Sequence, residues 1–397
     1  MMQAALAPDV RHRPPTSAPS GAMLDPGGAR IILGNHVSAT GLPDSIAPRA
    51  DTLFGPRGVA IAPGGALFVA DTGHHRLMIW RATPDEDNAP ADLLFGQPDF
   101  SCEGRNAKRD VGPTTLNMPT GIAVSGDTLA VADAWNHRIL IWRGLPDRSN
   151  RPPDLVLGQA DFAGGLSNRG ASVAAADTLN WCYGVTIAEG KLFVADTGNR
   201  RVLVWNSIPE HNGQPADLVL GQTDMVTRDD NGGGHDAPVG MRWPHAIVVD
   251  DSGRILIADA GNNRIMAWNA MPNADGAPCS FVLGQKSFDG RDHNRAGYYP
   301  DERALNMPYG LAVRDGALLC ADTANSRLVS YPLARLAMDA ASTGLAGQPG
   351  FADKGDNRWK FAARDSLCWP FGLSVGGDTL AIADTGNNRV LLWDMAA

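Results

Sequence analysis

Apolar residues in this chain fall in short runs separated by turn residues. A representative stretch has apolar positions at 121–124, a turn at Ser125, Gly126 and Asp127, further runs at 129–132 and 139–142, and, after a proline-rich link, one at 155–157. Runs of this length bounded by Gly, Asp and Pro predict strands, because a helix shows its apolar positions at a period of about 3.6 over ten or more residues. The unit is four short antiparallel strands.

That unit recurs. The phrases LFVADTGHHRLMIW, LAVADAWNHRILIW, LFVADTGNRRVLVW, ILIADAGNNRIMAW, LLCADTANSRLVSY and LAIADTGNNRVLLW place Asp71, Asp133, Asp196, Asp259, Asp322 and Asp384 at intervals of 62 or 63 residues. A second phrase runs in step, from IILGN and LLFGQ to GLAGQ, with Gly34, Gly96, Gly158, Gly221, Gly284 and Gly347. Six four-stranded units that cannot bury both faces alone cover one another when arranged radially. The expectation is an all-β six-bladed β-propeller, a single repeat domain over residues 30–397 with a flexible tail at 1–29. The sixth phrase ends at Trp393 with no outer strand after it, so residues 31–33 are expected to close the ring as the last blade's outer edge.

Composition narrows the picture. Gly and Pro number 45 and 28 of 397 residues, which suits many turns, and the 44% hydrophobic share is ample for a core. A net charge of −9 disfavours a protein that grips phosphate backbones, so nucleic acid is not the expected partner. The opening residues lack a continuous apolar stretch, carrying Pro14, Pro15 and Pro19 instead, and Met23 offers a second start. No run is long enough to cross a membrane as a helix. Five dispersed cysteines without a CxxC pair fit a reduced compartment, and the expectation is a cytoplasmic monomer.

The repeated VADTGNNRVLVW phrase and its variants resemble the NHL repeat family of six-bladed propellers, and the LVLGQxDF tails, as at residues 155–162, resemble those of a bacterial subgroup. The resemblance spans roughly residues 30 to 394 and implies the fold. It leaves function open, since similar propellers include RNA-binding modules, ligand-sensing domains and metal-dependent lyases that amidate peptides. Function has to be argued from the site.

Residues present in every blade serve the scaffold, whereas pattern breaks are free to serve one ligand. The Asp at each VAD and the Arg five positions later, such as Asp259 and Arg264, flank one hairpin turn and read as an ordering pair in preference to a cation-chelating ring. Trp80, Trp142, Trp205, Trp268 and Trp393 share one repeat position and read as interblade packing. Trp181, Trp243 and Trp369 precede the innermost strand, where Met118, Met307 and Gly55 stand in other blades; Trp135 replaces a turn glycine and Trp359 lies in a link. Strand order places the five unpatterned tryptophans, Trp135, Trp181, Trp243, Trp359 and Trp369, on one rim.

The residue directly before each innermost strand varies completely: Arg57, Thr120, Tyr183, His245, Tyr309 and Phe371. These converge on the mouth of the central channel. The expected ligand-binding set is Arg57, Trp135, Trp181, Tyr183, Trp243, His245, Tyr309, Trp369 and Phe371, with no catalytic or metal-ligating residues assigned and no cofactor named. An aromatic mouth with a single fixed cation suits a small anionic ligand, a peptide or a partner protein.

The alternative is a metal-dependent lyase or hydrolase in the same mouth. The resemblance to lyases would require histidines from several blades at one zinc, yet the equivalent positions hold Tyr183, Tyr309 and Phe371 beside His245. His235 and His293 could reach inward from links, while His74, His75 and His137 read as surface variants of Asn. Cys182 and Cys368, with Met118 and Met307, form a weaker soft-metal option. The loop at 229–236 lacks the ligand alternation of a calcium loop. Arg105, Lys108 and Arg109, and Arg291, Arg295 and Arg303, read as solvated rim charges.

Overall fold

The computed structural model describes residues 13–34, 45–234 and 238–396. Six four-stranded antiparallel sheets surround one axis. Their innermost strands are Gly58–Ile61, Pro119–Ser125, Cys182–Ala188, Pro244–Val249, Pro308–Arg314 and Pro370–Gly376. Each packs against the innermost strands of both neighbouring blades, the sixth against the first. No helix among the described residues is long and apolar enough to cross a membrane.

The two faces of each sheet are covered by the preceding and the following blade, which explains why the middle strands read as continuous apolar runs. Leu67–Asp71 and Arg76–Trp80 are buried at every position. Between the second and third blades, Ile139, Ile141 and Leu157 pack with Val194, Leu203 and Trp205. The repeated tryptophans are buried, as is Tyr331 in the fifth blade. The Trp142 indole N–H donates to the carbonyl of Arg151 at 2.9 Å, so the ring also orders the link that follows it.

The ring closes as expected, with Ile31–Leu33 pairing antiparallel to Arg389–Asp394. Closure begins earlier than residue 30, however. Ala22 bridges Leu345 on the fifth blade's outer strand, Leu24 bridges Met395, and Met23, Leu24 and Ala29 are buried. The Trp393 indole donates to the carbonyl of Asp25, the same bond that Trp80 makes to Ala89 within its own blade. Residues 20–34 thus supply the link and outer strand missing from the sixth repeat.

The Asp–Arg pairs are buried in all six blades. Arg264 donates through Nε to Asp259 Oδ2 at 2.9 Å and through Nη2 to the carbonyl of Gly240 at 2.8 Å, while Asp259 Oδ1 accepts the backbone N–H of Arg242 at 2.8 Å. Each pair therefore ties its turn to the lead-in of its own innermost strand. Asparagine amides extend the tie: Asn136 Nδ2 donates to Asn106 Oδ1 at 2.7 Å, and Asn199, Asn262, Asn325 and Asn387 do the same with Asn168, Asn231, Asn294 and Asn357. In the first blade His74 takes this place. It is fully buried, with Nδ1 2.7 Å from Asp71 Oδ2 and Nε2 2.7 Å from the carbonyl of Ile46, so it replaces an Asn but is no surface residue.

Candidate functional site

The geometry of the mouth originates in the backbone. In five innermost strands the pairing register shifts next to the first proline or cysteine, at Pro119, Cys182, Pro244, Pro308 and Pro370. Such bulges re-aim the following side chain, here Thr120, Tyr183, His245, Tyr309 and Phe371. Glycine then lets adjacent blades close in. A Cβ on Gly184 would lie 1.7 Å from the carbonyl oxygen of His245, and one on Gly310 would lie 1.9 Å from that of Phe371. The ring at the mouth is tight because those two side chains are absent.

The aromatic residues form a continuous arc. Ring centroids are 5.1 Å apart for Tyr183 and His245, 4.2 Å for His245 and Tyr309, and 4.4 Å for the stacked Tyr309 and Phe371. The Arg57 guanidinium completes the circuit, 5.0 Å from the Phe371 ring and 5.9 Å from the Tyr183 ring. Among the described residues no carboxylate pairs with Arg57. His245 donates from Nδ1 to the carbonyl of Trp243 at 2.9 Å, an assignment that follows because a carbonyl only accepts. Desolvation, reinforced by the Arg57 charge, pushes the His245 pKa down to about 4, and burial pushes the Tyr309 phenol up to about 12. At neutral pH His245 and Tyr309 are therefore both uncharged beside the Arg57 guanidinium.

Beneath this arc the channel encloses about 120 Å³. On the rim side a cleft of about 360 Å³ opens, lined by Arg57, Trp181, Tyr183, Trp243, His245, Tyr309 and Phe371 together with Asn180, Thr197, Gly198 and Arg200. Seven of the nine residues expected to form the site thus share one cleft. Trp135 stands beside it, its ring 6.1 Å from that of Trp181. Trp369 lies on the same rim but does not line the cleft.

Arg200 is the residue that sequence reasoning missed, and its signal was an exception in the repeated turn. In five blades the fourth residue after the Asp offers a side-chain acceptor to the next blade's lead-in residue. His75 accepts from Met118 N–H at 3.1 Å, His137 from Trp181 at 2.9 Å, Asn263 from Met307 at 2.8 Å, Ser326 from Trp369 at 3.2 Å and Asn388 from Gly55 at 2.8 Å. Each lead-in residue so held has a positive φ, from 47° at Trp181 to 54° at Gly55. Arg200 has no acceptor to offer. Across that seam Trp243 escapes positive φ and turns its N–H to Asp259 Oδ1 at 3.3 Å. The cleft opens at the one interblade seam that lacks the latch.

The rim around the cleft is apolar in a way the opposite rim is not. All large hydrophobic side chains exposed among the described residues, including Phe54, Trp135, Leu166, Val226, Trp359 and Phe361, lie in outer-to-inner links, lead-ins or second-turn positions. Those segments share one face of the ring.

Among the described residues no three of His, Cys, Asp and Glu come together in a metal-binding arrangement. His293 is exposed on its link, and His235 lies outside the described residues. Cys182 is buried with Sγ 3.3 Å from the carbonyl of Arg138, and burial raises its pKa well above the ordinary thiol value; burial pushes Cys368 up to about 12. Arg295 is occupied by Asp339 at 3.2 Å, and Arg303 donates to the Asp339 carbonyl.

Fold and site together define a six-bladed β-propeller with an aromatic, singly cationic channel mouth. The NHL repeat family model matches residues 55–80, 116–142 and 241–266, which hold innermost to third strands of the first, second and fourth blades. Three segments of the chain are thus similar to the NHL repeat. It is 22% identical over 351 residues to human (Homo sapiens) NHL repeat-containing protein 2, and 22% identical over 354 residues to the Bos taurus protein of that name. Each match covers 83% of this chain and 45% of the relative, so the chain spans less than half the length of these relatives. Among solved structures, a structural genomics protein of unknown function from Bacteroides thetaiotaomicron VPI-5482 superposes with a TM-score of 0.51 at 12% identity, over 89% of this chain and 73% of that one. That likeness is one of fold.

Proposed function

We propose that this protein is a binding propeller whose cleft takes an anionic, partly apolar ligand, with the free carboxylate end of a peptide as the leading class. The observation that carries the reading is Arg57. It is a half-buried cation held over aromatic faces, with no carboxylate partner among the described residues, at the floor of a cleft walled by Trp181 and Trp243. A desolvated guanidinium without its own counter-ion favours an incoming carboxylate, which it engages by two parallel hydrogen bonds. The aromatic walls supply apolar area and rigid surfaces for a side chain.

The test uses N-acetyl-Gln-Phe with a free carboxylate and the same dipeptide as its amide. Binding read by tryptophan fluorescence is expected for the acid and to be at least about tenfold weaker for the amide. Arg57→Ala should abolish the preference, whereas Arg105→Ala, on a remote link, should leave it intact. Equal binding of acid and amide, or a preference that survives Arg57→Ala, overturns the reading.

A further inference from the structure

The seam between the third and fourth blades carries a second cation that the repeat does not need. Arg200 stands where five blades have a latch acceptor, and this residue instead lines the cleft. There it donates from Nη1 to the Gly198 carbonyl at 2.8 Å and from Nε to Asp230. Asp230 is shared, since Arg242 Nε lies 3.6 Å from its other oxygen while the Arg242 guanidinium rests 5.1 Å over Trp243. Both members of the Arg200–Asp230 pair keep solvent access, with side chains 32% and 48% exposed. A pair so exposed contributes little, so an incoming carboxylate can take the place of Asp230 at small cost.

Resting on the proposed function, we infer that Arg200 is a specificity residue: it selects ligands that carry a second acidic group in addition to the carboxylate at Arg57, with Asp230 as an internal placeholder for that group. The ligand class is then an acidic peptide end with one aromatic or apolar side chain between its two anions. The substitution of Arg for Asn removes a backbone latch and adds a cation at the same place, which couples the opening of the seam to the charge that faces into it. The Gly232, Gly233 and Gly234 run that follows Asp230 gives its loop freedom to yield the position, as all three glycines occupy positive φ.

The experiment compares N-acetyl-Glu-Phe, N-acetyl-Glu-Gly-Phe and N-acetyl-Glu-Gly-Gly-Phe with their Gln counterparts, which have the same shape without the second charge. In wild type the Glu form is expected to bind about tenfold tighter than the Gln form at one of the three lengths. Arg200→Asn should bring the Glu-to-Gln affinity ratio to about one, with any effect of the restored latch falling on both peptides alike, and Asp230→Asn should widen the ratio. Arg57→Ala should weaken both forms alike. Asn occupies the equivalent turn position at Asn263 and Asn388, so Arg200→Asn should fold with a melting temperature no lower than wild type. Equal affinity for Glu and Gln peptides at every length, or a preference that persists in Arg200→Asn, overturns the inference and leaves the proposed function standing. Failure of every peptide to bind wild type overturns both.

Discussion

The indole N–H of Trp393 donates to the carbonyl of Asp25 over 2.8 Å, a bond between residues 368 positions apart that every other Trp-bearing blade makes within nine. The sixth blade is thus completed by the N-terminal segment from Ser20 onward, and the bond locates where the propeller begins.

Deleting residues 1–18 should leave the melting temperature within a degree or two of wild type, whereas deleting residues 1–28 should lower stability by about 2 to 5 kcal/mol, because Met23, Leu24 and the Trp393 acceptor are lost together. The second deletion also uncovers the outer edge of the fifth blade at Leu345 and should promote association, visible by light scattering. Indistinguishable melting curves for the two truncations would show that the segment from Ser20 contributes nothing to closure.

Asp259→Ala strands a fully buried Arg264 and should cost about 3 to 5 kcal/mol in denaturant unfolding. The same change at Asp133 or Asp322 should cost a similar amount, since the pairs are equivalent. A loss below about 1 kcal/mol is the behaviour of an exposed pair and would contradict the burial.

Acid should weaken the interblade latches. His75 and His137 accept backbone N–H groups through Nδ1, which requires the neutral ring. Burial lowers both pKa values, that of His137 to about 4, against the desolvation-free value of 6.5. A pKa depressed in the folded state means the unfolded chain binds protons first. The latch contribution is therefore complete above pH 6.5 and is lost as pH falls toward 4. The paired variant His75→Asn and His137→Asn keeps an acceptor but does not titrate, and should flatten the acid limb of the stability profile by on the order of 2 kcal/mol. An unchanged acid limb would place the sensitivity elsewhere.

Gly184→Ala should destabilise by about 3 kcal/mol, because the new Cβ would lie 1.7 Å from the His245 carbonyl and force the third and fourth blades apart. The fourth blade already carries Ala246 at this position, so Ala246→Gly should cost under about 1 kcal/mol. Equal losses from the two changes would show that the mouth is not drawn together by its glycines.

The repeat by itself determined the blade count, the strand order within each blade, the Asp–Arg pairing and the residues that face the channel mouth. These are periodic quantities, and six copies of one local pattern report them six times over. Arg57, Tyr183, His245, Tyr309 and Phe371 were legible for the converse reason, as the position where the copies disagree. The Asn106–Asn136 type of amide pair was equally periodic but hidden in links whose other residues differ. What the tertiary structure alone decided depends on contacts between blades. The role of Arg200 emerges only when the turn of one blade is seen to hold the lead-in of the next, because a hydrogen-bond acceptor is defined by the donor it meets. The extent of the N-terminal clasp was likewise invisible, since residues 20–29 lack strand periodicity and are held by Leu345, Trp393 and Met395 from the far end of the chain. Local sequence encodes a strand; only the closed ring determines which distant edge a segment without strand pattern must cover.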